Sequence, residues 1–160
     1  MKRRMLLVGA ALTAIAMVAA PAVAQDVSVC TFETQVEVTP GVSPTPGDGT
    51  FATPEDGTIT CTGAVEGTGT IGYEGVTGPL GQSCAADFAG SGTLHYVIGD
   101  HDVTGTFEFS RVAVGGGFNG DTTAGTIVGL FQFAPAEGQD CATTPVTNAT
   151  VTGQAVLLGY

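Results

Sequence analysis

Four groupings of residues have the types and spacing to do chemistry. Asp100, His101 and Asp102 follow Gly99, and Asp121 sits at a second turn beside Gly120, so carboxylate oxygens that a calcium ion would take are concentrated at chain reversals. The spacing lacks the length of an EF-hand loop, and Asp beside Gly is what a tight turn selects on its own account. His95 and Asp102 make the second grouping. A two-residue turn at Gly99-Asp100 places His95 opposite Thr104 and diagonal to Asp102, and a histidine oriented by an aspartate has the form of a general base. A small hydrolase or isomerase would rest on these two residues alone, because no G-x-S-x-G turn presents a nucleophile and Ser110 falls within a strand-like run. The third grouping, Gly67 to Gly72, matches G-x-G-x-x-G, but a dinucleotide site needs a helix to follow, and this stretch is itself strand-like. The fourth is the set Cys30, Cys61, Cys84 and Cys141. An even number of widely spaced cysteines without C-x-x-C points to two disulfides rather than zinc. Of the three possible pairings, Cys30 with Cys141 and Cys61 with Cys84 is the one expected. No cofactor is expected.

The start of the chain bears on where that chemistry would operate. Lys2, Arg3 and Arg4 precede an apolar run from Met5 to Ala20, and Ala22-Val23-Ala24 supplies an A-x-A cleavage site, so residues 1–24 read as a secretory signal peptide. The mature domain is then 25–160, secreted, or periplasmic in a Gram-negative host. Val29 before Cys30 does not fit a lipid-anchoring signal. Loss of Lys2, Arg3 and Arg4 moves the net charge of −11 to −14 and leaves Arg111 as the one Arg or Lys of the mature chain. Such a surface repels phosphate backbones, so no nucleic-acid partner is expected, whereas a cationic partner is compatible with it.

Positional alternation argues that strands hold these residues. Cys30, Phe32, Val36 and Val38 alternate with Thr31, Glu33, Gln35 and Glu37, the pattern of a half-buried strand. Four prolines between Thr39 and Gly57 predict a long loop with a brief extended piece at Phe51. Strands are predicted at 58–66 and 68–74, with Ile71 and Tyr73 inward, and a break at 75–82. A hairpin of 92–98 with 101–112 pairs Ile98 with His101 and Gly92 with Phe107, leaving Leu94, Tyr96, Val103, Phe107 and Phe109 on one face. Gly115-Gly116-Gly117 is predicted to end that hairpin, and strands at 125–134 and 146–158 close the chain. About seven or eight short antiparallel strands without helices imply one all-β domain, a sandwich or a barrel. In a closed barrel Phe32, Tyr96, Phe107, Phe131 and Phe133 would line the interior and hold a small apolar ligand. The terminal strand, with Val156, Leu158 and Tyr160, has the alternation of an outer-membrane barrel strand. With no Trp and three Tyr it lacks the aromatic girdles, so no membrane insertion is expected. The threonine rows 58/60/62, 68/70 and 104/106 are explained by β-propensity on a wet face.

The segments Thr39-Pro40-Gly41-Val42-Ser43-Pro44-Thr45-Pro46 and Asp140-Cys141-Ala142-Thr143-Thr144-Pro145-Val146-Thr147 resemble those of small secreted Gly/Thr-rich β-proteins of Gram-positive actinobacteria. The resemblance implies an exported, disulfide-linked β-domain and transfers no functional residue. The expectation is therefore a non-enzymatic extracellular or cell-surface binding or structural module, with a lipocalin-like carrier and the His95/Asp102 enzyme as alternatives.

Overall fold

The computed structural model describes residues 26–78, 81–112 and 115–160; the expected signal peptide lies outside them. Nine strands follow one another: β1 Val27–Val42, β2 Thr50–Ala52, β3 Gly57–Gly63, β4 Gly67–Thr77, β5 Phe88–Ile98, β6 His101–Val112, β7 Gly115–Thr122, β8 Gly125–Pro135 and β9 Val146–Leu158. All pairings between them are antiparallel, and β9 returns to pair with β1 along most of its length. The sheet is therefore a closed barrel rather than a sandwich. β2 and β3 share one stave: β3 bridges the first halves of β1 and β4, and β2 bridges their second halves. Closure leaves eight staves and removes the unpaired edges that an open sheet would present.

The alternation read from the sequence governs which side chains enter the barrel. Phe32, Val36 and Val38 of β1, Ile59 and Cys61 of β3, Leu94 and Tyr96 of β5, and Val151, Ala155 and Leu157 of β9 are buried. The β5–β6 hairpin has the predicted register, with Ile98 opposite His101, His95 opposite Thr104 and Gly92 opposite Phe107. Gly99 turns it at a φ of 58°, a conformation that glycine adopts without strain.

Other expectations are corrected. β1 does not stop before Pro40. It runs to Val42 through a register shift against β9, and an irregularity of this kind accommodates a proline that a regular ladder cannot. β4 continues through Gly75 to Thr77 because β2 and β5 pair with it there. Gly115-Gly116-Gly117 opens strand β7 instead of ending a hairpin, and its backbone is paired on both sides, to β6 and β8. The disulfides are Cys30–Cys61 and Cys84–Cys141. Cys30 and Cys61 face each other across β1 and β3, whereas Cys141 lies beside Val42 at the opposite end of β1, so Cys30 and Cys141 are out of reach of each other. Among the described residues no cysteine is free. Two disulfides fit an oxidising compartment. No helix among the described residues is long and apolar enough to cross a membrane.

Candidate ligand-binding site

Inward phenylalanines meet inward glycines across the staves. Phe131 faces Gly116 and Gly153, Phe118 faces Gly129, and Phe107 faces Gly92 and Gly120. A missing Cβ lets each ring lie over its neighbour's backbone, which is how a barrel rich in both residues packs aromatic rings from many directions. The rings meet mainly edge to face: Phe109 lies 5.3 Å from Phe51 at 90°, 6.1 Å from Phe88 and 6.3 Å from Phe131, and Phe107 lies 6.0 Å from Tyr73. The favourable quadrupole geometry orients these rings. They do not fill the interior, and an apolar cavity of about 100 Å³ remains among them.

The two ends of the barrel differ. At one end Tyr96, Ile98, Ile127 and Leu157 are wholly buried, and the Tyr96 hydroxyl bonds to that of Tyr160, which also meets Thr122 Oγ1 at 3.0 Å. At the other end the chain at 81–85 folds against 43–47. Gln82 N–H donates to Gly47 O at 2.7 Å, Cys84 N–H to Ser43 O at 3.2 Å and Ser83 Oγ to Pro44 O at 3.1 Å. The Cys84–Cys141 bridge ties this plug to the segment before β9.

Three polar side chains of the plugged end, Thr77, Gln82 and Arg111, border the cavity. Gln82 is 2% exposed; its Nε2 donates to Gly41 O at 3.2 Å, and among the described residues its Oε1 has no partner. Arg111 is 7% exposed, with its guanidinium carbon 5.2 Å from the Phe88 ring centre and 4.9 Å from that of Phe133. Nη1 donates to Ser83 O at 3.4 Å, and among the described residues Nε–H has no partner. Among the described residues no carboxylate pairs with Arg111. Burial pulls its pKa below the ordinary arginine value, yet arginine remains a cation at neutral pH.

Of the five residues expected to line a ligand site, Phe32, Phe107, Phe131 and Phe133 border this cavity. Tyr96 does not; it seals the far end. Phe51, Phe88, Phe109, Phe118, Gln82 and Arg111 also border it and were not in that set. The signal for Arg111 was its parity: it continues the inward series Val103, Phe107, Phe109 along β6.

The other groupings lie outside the barrel. His95 Nε2 and Asp102 Oδ1 are 2.9 Å apart, as the predicted diagonal requires, but their side chains are 44% and 75% exposed on the outer surface. Asp100 sits at the hairpin tip and Asp121 pairs across from Thr106 on β7. Asp121 is thus a strand residue, one step from the turn. Among the described residues no three His, Cys, Asp or Glu side chains converge on a metal position.

Tyr73 and Tyr160 give the interior a pH signature. Burial raises both phenols to about 12, with a hydrogen bond between Tyr73 and Thr34 opposing the shift in Tyr73. A folded-state pKa above the unfolded value of 10 means that stability is complete below pH 10 and falls as pH rises through 12. For Tyr73 the loss is about 2 to 3 kcal/mol. Tyrosinate absorbance and circular dichroism followed from pH 9 to 12.5 are expected to show phenol ionisation and loss of fold together; full tyrosine ionisation near pH 10 in a still-folded protein would refute the burial argument.

Fold and cavity together define a closed, eight-stave antiparallel barrel with an apolar interior and a buried cation at its plugged end. No family model, no curated protein and no solved structure matches the chain.

Proposed function

We propose that the protein is an exported, non-catalytic binding module that carries a small, mainly apolar molecule inside its barrel. The observation that supports this most is the apolar cavity of about 100 Å³ left among the interior rings. Barrels of eight strands have interiors just wide enough to be filled by side chains or to hold one small ligand. Engineered apolar cavities of about 150 Å³ take up benzene, so a compact guest of about benzene's size or less, such as a five-membered ring or an isobutyl group, suits this one. Export is supported by the basic and apolar start of the chain and by disulfides that fit an oxidising compartment. The acidic surface argues against nucleic acid as a partner. The His95–Asp102 pair offers little support for an enzyme, because it stands in solvent on the outer wall, away from the cavity. The reading is tested by titrating the folded protein with cyclopentane while following backbone amide resonances. Saturable shifts of interior amides, abolished when Leu94→Phe fills the cavity, are the expected result.

A further inference from the structure

We infer that the molecule carried is an anion, a short branched or cyclic carboxylate whose apolar body occupies the cavity and whose carboxylate meets Arg111. This rests on the carrier reading above and names its ligand class. Arg111 is the only Arg or Lys from residue 25 onward, against fifteen acidic residues, and the fold buries it rather than using it on the surface. Its cost there is unusual. A cation taken out of water requires an opposite charge or a full set of hydrogen bonds. Among the described residues Arg111 has two ring faces and one long hydrogen bond to Ser83 O, and its Nε–H has no acceptor. Cation–π contacts with two rings return less than an isolated buried charge requires.

The geometry points to the missing partner. Phe88 and Phe133 hold the guanidinium between them, and the same two rings border the cavity together with Arg111 itself. Such a clamp limits the rotamers of the arginine, so less entropy is lost when its donors meet an anion. A carboxylate is the small anion that matches this fork in two parallel hydrogen bonds while leaving the rest of the molecule apolar. Gln82 Oε1, unpartnered at the same end, carries no charge, so recognition of the anion falls to Arg111. A purely structural arginine would show no preference between a carboxylate and its neutral analogue.

The test compares cyclopentanecarboxylate with cyclopentylmethanol on the intact disulfide-linked protein at neutral pH. The carboxylate is expected to bind at least ten-fold more tightly and to shift the single arginine Nε–H resonance, which the alcohol leaves unmoved. Arg111→Met is expected to remove the preference by weakening the carboxylate alone, and Arg111→Lys to retain part of it. The wild-type Nε–H shift decides the matter even if Arg111→Met does not fold. Equal binding of both compounds with a silent Nε–H resonance overturns the inference while leaving the carrier reading intact; failure of both compounds to bind overturns both.

Discussion

Gly153→Val is expected to cost the protein at least about 4 kcal/mol, a large share of the net stability of a domain this size. Gly153 lies on β9 between β1 and β8, and a Cβ there would run into the Phe32 ring and the Leu130 carbonyl. Overpacking against a ring alone costs roughly 1 to 3 kcal/mol, because the ring can shift. The Leu130 carbonyl cannot shift without opening the β8–β9 ladder, which is part of what closes the barrel. Urea denaturation gives the comparison, with Gly47→Ala as a control, since nothing lies within 4 Å of a Cβ at that position. If the ring is part of the cost, Phe32→Leu in a Gly153→Ala background restores some stability, as contacting residues couple. A Gly153→Val protein within about 1 kcal/mol of wild type would contradict the packing of phenylalanine over glycine described for this barrel.

The second large effect concerns the plugged end. Replacing Cys84 and Cys141 together by serine is expected to cost about 4 kcal/mol, because the bridge closes a loop with a sequence separation of 57. For a domain of this size that corresponds to a fall of about 15 °C in melting temperature. Breaking Cys30–Cys61, with a separation of 31, removes slightly less chain constraint but introduces two hydroxyls into the core. Peptide mapping of the non-reduced protein gives the pairing directly. Finding Cys30 joined to Cys141, or a double-serine variant that melts within 3 °C of wild type, would contradict the assignment.

These two predictions draw on parts of the structure that differ in how far the sequence reveals them. The β5–β6 register followed from one two-residue turn, because a hairpin of that length permits few alignments, and the His95–Asp102 contact followed from the register. The inward face of β1 was largely legible, since Cys30, Phe32, Val36 and Val38 alternate with polar residues, although the buried Ser28 and Thr34 share that face. β7 was not. Its glycines carry no side chain to show periodicity, and only the phenylalanines of neighbouring staves, to which they give room, explain why they are strand. Disulfide pairing is a property of closure: Cys30 and Cys61 become neighbours only because β3 folds beside β1. The candidate site was half visible. Phe32, Phe107, Phe109, Phe131 and Phe133 lay on predicted inward faces, whereas Phe51, Phe88 and Phe118 did not, and Arg111 reads as a surface charge until the strand is known to continue inward to the plug. Hydrophobicity alone cannot place a buried cation; alternation along β6 can.

The central claim, that the barrel interior receives a small apolar guest, is tested most directly by the cyclopentane titration, with wild type and Leu94→Phe read side by side. One saturable site, with shifts concentrated on the interior faces of β1, β6 and β8 and absent from the filled variant, is the predicted result. Shifts that rise linearly without saturating, or that persist unchanged in Leu94→Phe, would mean that the rings form an ordinary core and that the protein carries nothing there.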